Sequence, residues 1–289
     1  MIDKIFNPEV IADQLYNLGI NPGDTLLINI NMSEFGIINQ YKKKDYVKLF
    51  LDYLGEEGTL VALAYTPAKF SITNKDLPFF DGNQRATTGA FPNQMLKYAG
   101  AYRTLHPTNS VVAIGKNADY ITRNIDENSG AYDFLRRVIN LDGKVLLIGM
   151  MNYPGFVTHL VQADLKLYKH YWHRFFYKVR LGNKVHVCLD PGGCSLGFDK
   201  LYGTYIKNGA LLSGYINGAY SLSIKAKVAY KLDYEILIKS RDFLNCGNKE
   251  CFHCQSGQWR SIWNLPFYLL RRILRDNFYL RKLIKTLLN

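Results

Sequence analysis

The chain has 289 residues, of which 48% are hydrophobic and 14% aromatic, enough apolar material for one large α/β domain or two modest ones; disorder throughout is excluded. No stretch approaches the roughly 18 uninterrupted apolar residues of a membrane-spanning helix. The opening MIDKIFNPEVIADQLYNLG is a charged amphipathic pattern without a secretory leader's apolar core and small-residue cleavage site, so a cytoplasmic location is expected. The net charge of +12 favours anionic partners such as nucleic acid, lipid headgroups or phosphorylated small molecules. Half of that excess sits in residues 256–289, where Arg260, Arg271, Arg272, Arg275, Arg281, Lys282 and Lys285 face a single acid, Asp276.

In chain order, Val10 to Leu18 has helical spacing and stops at Gly19; Asn21-Pro22-Gly23-Asp24 is a turn, and Thr25 to Ile30 is an apolar strand. A helix over Asp45 to Leu54 ends at Gly55. Gly58 to Tyr65 then reads as a strand without polar alternation, the pattern of a parallel strand covered on both faces. Gly89 to Tyr98 is helical, Ser110 to Ile114 strand, Ala118 to Ile121 helix, and Lys144 to Gly149 (KVLLIG) the clearest buried strand. This alternation predicts an α/β sandwich around a mixed sheet. From Trp172 to Leu189 the pattern changes to two alternating strands hinged at Gly182-Asn183, an antiparallel hairpin. Helix is expected near Phe198 to Lys207, and both strand and helix within Ala226 to Ile238. The predicted organisation is a domain over 1–245 followed by a Cys-rich segment and a basic helical extension over 246–289.

Of six histidines, two stand where α/β folds place chemistry. His106 lies in a loop just before a strand, and His159 about ten residues after KVLLIG, at the opening of a helix near that strand's C-terminal edge. His186 falls within the second hairpin strand as the polar member of an alternating pattern.

Several segments, in order, resemble the aminoglycoside 3-N-acetyltransferase family. They are LGINPGDTLL over 18–27, GTLV over 58–61, Phe80-Asp81, GAFP over 89–92, RTLHPTNS over 103–110, LDGKVLLIG over 141–149 and Thr158-His159-Leu160. The resemblance runs through most of residues 8–240 and implies a three-layer α/β/α fold that binds acetyl-CoA. The family's catalytic His-Leu-x-Glu pattern matches at His159, which the resemblance assigns as the base that takes the acceptor amine's proton during attack on the thioester. The family glutamate is absent: Gln162 stands in its place, and either Gln162 or Asp164, the latter preferred, orients the ring. Backbone N–H groups or Thr158 are the candidate oxyanion donors. The resemblance further implies cofactor contacts from Asn31, Met32 and Ser33 and from His106, Thr108 and Ser110. Asp81, Tyr65 and Trp172 are candidate substrate contacts, and Tyr168, Tyr171, Trp172, Phe175 and Phe176 are candidates for stacking on a sugar or base, or for core.

Aminoglycosides are polycations, and the chain outside its tail still carries +6, with Lys166, Lys169, His170, His173 and Arg174 after His159. On charge the expected acceptor is therefore an amino sugar linked to a nucleotide, used in surface polysaccharide synthesis, with an aminoglycoside as the alternative. A homo-oligomer is expected and nucleic acid is not, although a non-catalytic basic protein that engages nucleic acid or membrane is the reading from another class.

The segment Cys246-Gly247-Asn248-Lys249-Glu250-Cys251-Phe252-His253-Cys254 has Cys-x4-Cys-x2-Cys spacing, whose last pair suits zinc. Structural zinc and free buried thiols are both open, with Cys188 or Cys194 able to supply a fourth ligand. After Pro266, Leu270, Ile273, Asn277, Leu280, Ile284 and Leu287 recur at helical intervals opposite the basic residues. Such a helix packs on its own body, dimerises, or rests peripherally on the inner membrane face.

Overall fold

The computed structural model describes residues 7–35, 45–71, 73–150, 156–167, 177–187, 194–256 and 263–275. Its main sheet contains β1 (Thr25–Ile30), β2 (Thr59–Leu63), β4 (Tyr102–Arg103), β5 (Val111–Gly115), β6 (Lys144–Ile148), β9 (Leu211–Ile216) and β10 (Ala219–Lys225). The spatial order is β4-β5-β2-β1-β6-β10-β9. β1 pairs parallel with both β2 and β6, while β5, β4, β10 and β9 join antiparallel at the two sides. The mixed sheet is the expected one.

The central strands are buried because alternate side chains enter different cores. Leu27, Val61, Val145 and Leu147 point to one face, and Leu26, Ile28, Leu60, Leu146 and Ile148 to the other. That two-sided burial is why these runs show no polar alternation. α5 (Ala118–Thr122), α6 (Asp133–Asn140), α7 (Phe156–Asp164), α8 (Tyr202–Lys207) and α9 (Ala226–Lys239) supply residues to the first core. The second core is covered by α1 (Pro8–Asn17), α3 (Asp45–Leu54), α4 (Ala90–Met95) and the short α2 (Met32–Phe35) that follows β1. Three layers result.

A smaller sheet, β3-β7-β8, contains β3 (Lys69–Phe70) and the expected hairpin of β7 (Tyr177–Leu181) and β8 (Lys184–Val187), turning at Gly182, whose φ is +53°. His186 lies on β8 opposite Val179. Residues 226–239 form helix throughout, not strand and helix. A second hairpin, β9–β10, turns at Asn217-Gly218, both with positive φ. The extension folds as α10 (Phe252–Ser256) and α11 (Asn264–Arg275). Among the described residues, no helix is long and apolar enough to cross a membrane.

Leu147 is 1% exposed at the centre of the sheet. Leu147→Ala is expected to lower unfolding free energy by about 2–5 kcal/mol in a denaturant titration.

Candidate functional site

The parallel pairing of β2, β1 and β6 aligns their C-terminal ends on one sheet edge, the position where open α/β sheets leave a crevice. α2 follows β1 there, Tyr65 and Thr66 follow β2, and α7 follows β6. Because β5 runs antiparallel to β2, the 106–110 loop arrives at the same edge: the Ala64 N–H bonds the Ser110 carbonyl and the Thr66 N–H the Thr108 carbonyl. The end of β6 turns at Gly149 (φ +66°), where an added Cβ would lie 2.4 Å from Glu34 Cβ. Only glycine lets α2 and β6 approach this closely.

His159 occupies α7, with its residue 9% exposed. Tyr132 stacks on its ring at 5.4 Å between centroids, and Phe198 meets it edge-on at 5.1 Å. His159 Nδ1 lies 2.9 Å from Gln162 Oε1. An amide oxygen can only accept, so the hydrogen bond places the proton on Nδ1 and the lone pair of the neutral ring on Nε2. Burial lowers the ring's pKa to about 4; the Gln162 hydrogen bond acts in the opposite sense, and the charge of His253 adds to the lowering. The imidazole is therefore neutral near pH 7.

The preferred orienting residue, Asp164, is not the partner. Its carboxylate takes two bonds from the Arg136 guanidinium and one from the Tyr230 hydroxyl at 2.6 Å. Helix geometry explains the correction: three residues past His159 is the same helix face, whereas five residues past it is well around the cylinder. Nor is Thr158 an oxyanion donor, since its buried hydroxyl donates to Asp233 Oδ2 at 2.8 Å. The Tyr205 hydroxyl donates to the other oxygen of the same carboxylate.

His106, Thr108 and Ser110, the expected cofactor contacts, bond within their own loop and to its neighbours. His106 Nδ1 accepts from the Asn109 N–H at 2.9 Å, the ring bonds the Ser129 backbone, and burial lowers its pKa to about 4. Thr108 donates to Asn109 Oδ1 at 2.9 Å, and Ser110 to the Ala64 carbonyl at 2.5 Å. These side chains brace the loop from within. Arg103 extends the brace, bonding the carbonyls of Gly82, Gln84 and Ala64.

Other expected residues remain at the edge. Asn31 and Ser33 are exposed, Asn31 Oδ1 accepting the Ser33 N–H, and Met32 packs beneath them. Asp81 is exposed in a turn closed by its own Oδ1 on the Asn83 N–H. The Tyr65 hydroxyl is buried beside Asn109, and burial pushes its pKa up. Trp172 and Cys188 lie outside the described residues, as do Lys169, His170, His173 and Arg174. Cys246, Cys251 and Cys254 converge with Cys194, all four Sγ atoms lying within 4.8 Å of one another.

Asp233, Tyr132 and Phe198 were missed by sequence reasoning. Asp233 carried a signal, since it shares a helical stripe with buried Ala226, Ala229 and Leu237. An acid on an apolar stripe calls for partners.

Residues 27–234 match the aminoglycoside 3-N-acetyltransferase family. The chain belongs to this family. It is 26% identical over 174 residues to aminoglycoside N(3)-acetyltransferase III of Serratia marcescens, a match covering 54% of this chain and 63% of that relative. It is 28% identical over 156 residues to aminoglycoside N(3)-acetyltransferase VII of Streptomyces paromomycinus, covering 48% and 54%. The matches thus span less than two thirds of either relative. Among solved structures, the apoenzyme of aminoglycoside acetyltransferase AAC(3)-IVa superposes with TM-score 0.73 at 17% identity over 89% of this chain and 99% of that one. AAC-IIIb in a binary complex with CoASH gives 0.63 at 19% over 81% and 97%. At these identities the superpositions establish the fold.

Burial raises the Asp233 carboxyl to about 7, against the lowering effect of its two hydroxyl donors. A raised carboxyl keeps its proton in the folded state while the unfolded chain releases it above about pH 4, so stability falls from about pH 4 to 7 and then levels. Denaturant titrations across that range are expected to show a loss of up to about 4 kcal/mol from this group, and Asp233→Asn to flatten the slope.

Proposed function

We propose that the protein transfers the acetyl group of acetyl-CoA to an amine of an amino sugar of the aminoglycoside type, with His159 as general base. The observation that carries this reading is the His159–Gln162 hydrogen bond, which sets a base-competent tautomer at the sheet edge in a chain of this family. The acceptor nitrogen attacks the thioester carbonyl and forms the C–N bond as His159 Nε2 takes its proton. Collapse of the tetrahedral intermediate breaks the C–S bond, and the departing thiolate receives the proton from the imidazolium. The deep pKa depression of the ring makes that second transfer downhill. Asn31, Met32 and Ser33 are assigned to the pantetheine side of the crevice; Tyr65 and Asp81 to the acceptor side.

The relatives' names favour an aminoglycoside over the nucleotide-linked sugar of polysaccharide synthesis. The latter keeps one argument, the net charge of +12. A peripheral contact with an anionic membrane face is proposed for α11, where Phe267 and Leu270 are exposed beside Arg271.

Free-thiol release from acetyl-CoA with aminoglycosides and nucleotide-linked amino sugars as acceptors tests the reading. His159→Ala should lose about 10²–10⁴-fold in turnover; full turnover in the variant rejects His159 as the base. The His159 ring should also show no NMR titration from about pH 5.5 to 8, and Gln162→Glu should raise its pKa by placing a carboxylate on Nδ1. A wild-type ring titrating near the free-histidine value of about 6.5 contradicts the assignment.

A further inference from the structure

The four-cysteine cluster joins two parts of the chain far apart in sequence. Cys194 comes from the segment before the 3-10 turn at Phe198–Leu201, and Cys246, Cys251 and Cys254 from the segment that follows α9. The Cys246 and Cys254 Sγ atoms are 3.6 Å apart. A disulfide needs about 2.05 Å, whereas four thiolates around one tetrahedral zinc at about 2.3 Å have sulfur–sulfur edges of about 3.8 Å. A two-iron cluster arranges its thiolates around a pair of ions and needs a wider spread.

The surrounding backbone treats these sulfurs as anions. The Leu196 N–H bonds Cys194 Sγ and the Asn248 N–H bonds Cys246 Sγ, two residues on in each case. The Cys246 N–H bonds Cys254 Sγ at 3.4 Å. Amides turned onto ligand sulfurs are the outer support that a metal thiolate site requires.

The same segments carry the wall of the His159 pocket. Phe198, edge-on to His159, is four residues from Cys194 and closes a turn through its N–H to the Ser195 carbonyl. Gly197 lies so close to Leu244 that an added Cβ would stand 2.1 Å from the Leu244 carbonyl oxygen. Lys200 Nζ bonds the Phe243 and Asn245 carbonyls at 3.0 and 2.6 Å, the last of these immediately before Cys246. Thus a clamp at the cysteines fixes 194–200 against 243–246, and that pair fixes Phe198.

We propose that Cys194, Cys246, Cys251 and Cys254 bind one zinc ion, and that this ion holds Phe198 in place over His159. The ion is structural: four protein thiolates leave no open coordination position. Loss of zinc is expected to loosen the Phe198 wall and expose His159 while leaving the body folded. The proposal stands apart from the acetyl-transfer reading, because its test needs no substrate.

Metal analysis of the purified full-length protein should find about one zinc per chain, released by a thiol-blocking mercurial and absent from Cys254→Ala. Carbethoxylation by diethyl pyrocarbonate, mapped by peptide mass, then reads the wall. On zinc removal His159 should be modified about tenfold faster, the change produced by a local opening made about 1.4 kcal/mol easier. His106, braced within its own loop, should keep its rate and so report that the body stays folded. If Cys254→Ala does not fold, the mercurial-treated wild type gives the same comparison. Chains without metal, cysteines found paired as disulfides, or iron in place of zinc overturn the site. An unchanged His159 rate, or equal acceleration of His106, overturns the positioning role.

Discussion

The constraint on which the site depends is the burial of three parallel strands on both faces. Because β2, β1 and β6 are apolar on each side, they must lie at the centre of the sheet with helices above and below. Parallel pairing then forces their C-terminal ends onto one edge. Every element that follows those ends, α2, the Tyr65 segment and α7, is delivered there by the chain's own connectivity.

Within that frame most buried polar side chains hold one another. Asp164, Asp233, His106 and Ser110 each have internal partners: Arg136 and Tyr230; Thr158 and Tyr205; the Asn109 N–H; the Ala64 carbonyl. His159 differs in having a neutral amide as its orienting neighbour. A carboxylate there would favour the imidazolium; Gln162 fixes the tautomer without adding charge, and burial does the rest. The outcome is an imidazole that is neutral near pH 7.

The centre of this fold was readable because its signals are local and repeated. Thr25–Ile30, Thr59–Leu63 and Lys144–Ile148 are short apolar runs bounded by turns, and α3 spans the same Asp45–Leu54 as its periodic pattern. The β9–β10 hairpin was not anticipated, because Leu212, Tyr215 and Tyr220 are exposed and obscure the alternation. Its Asn217-Gly218 pair carried the turn signal nonetheless. His159 was legible through its motif, whereas its ring neighbours Tyr132 and Phe198 come from elements remote in sequence. Gln162 over Asp164 follows from the angle between helix positions. The meeting of Cys194 with the three later cysteines does not: they stand more than 40 residues apart, and the folded chain brings them together.

The central claim is that the ligand-binding crevice lies where the parallel strands end, with α7 as one wall. Hydrogen–deuterium exchange with and without CoA tests it most directly. The account predicts slowed exchange in residues 31–35 and 156–162, with the outer strands β4 and β9 unchanged. Protection confined to β4, β9 or α11, with residues 31–35 and 156–162 unaffected, would contradict it.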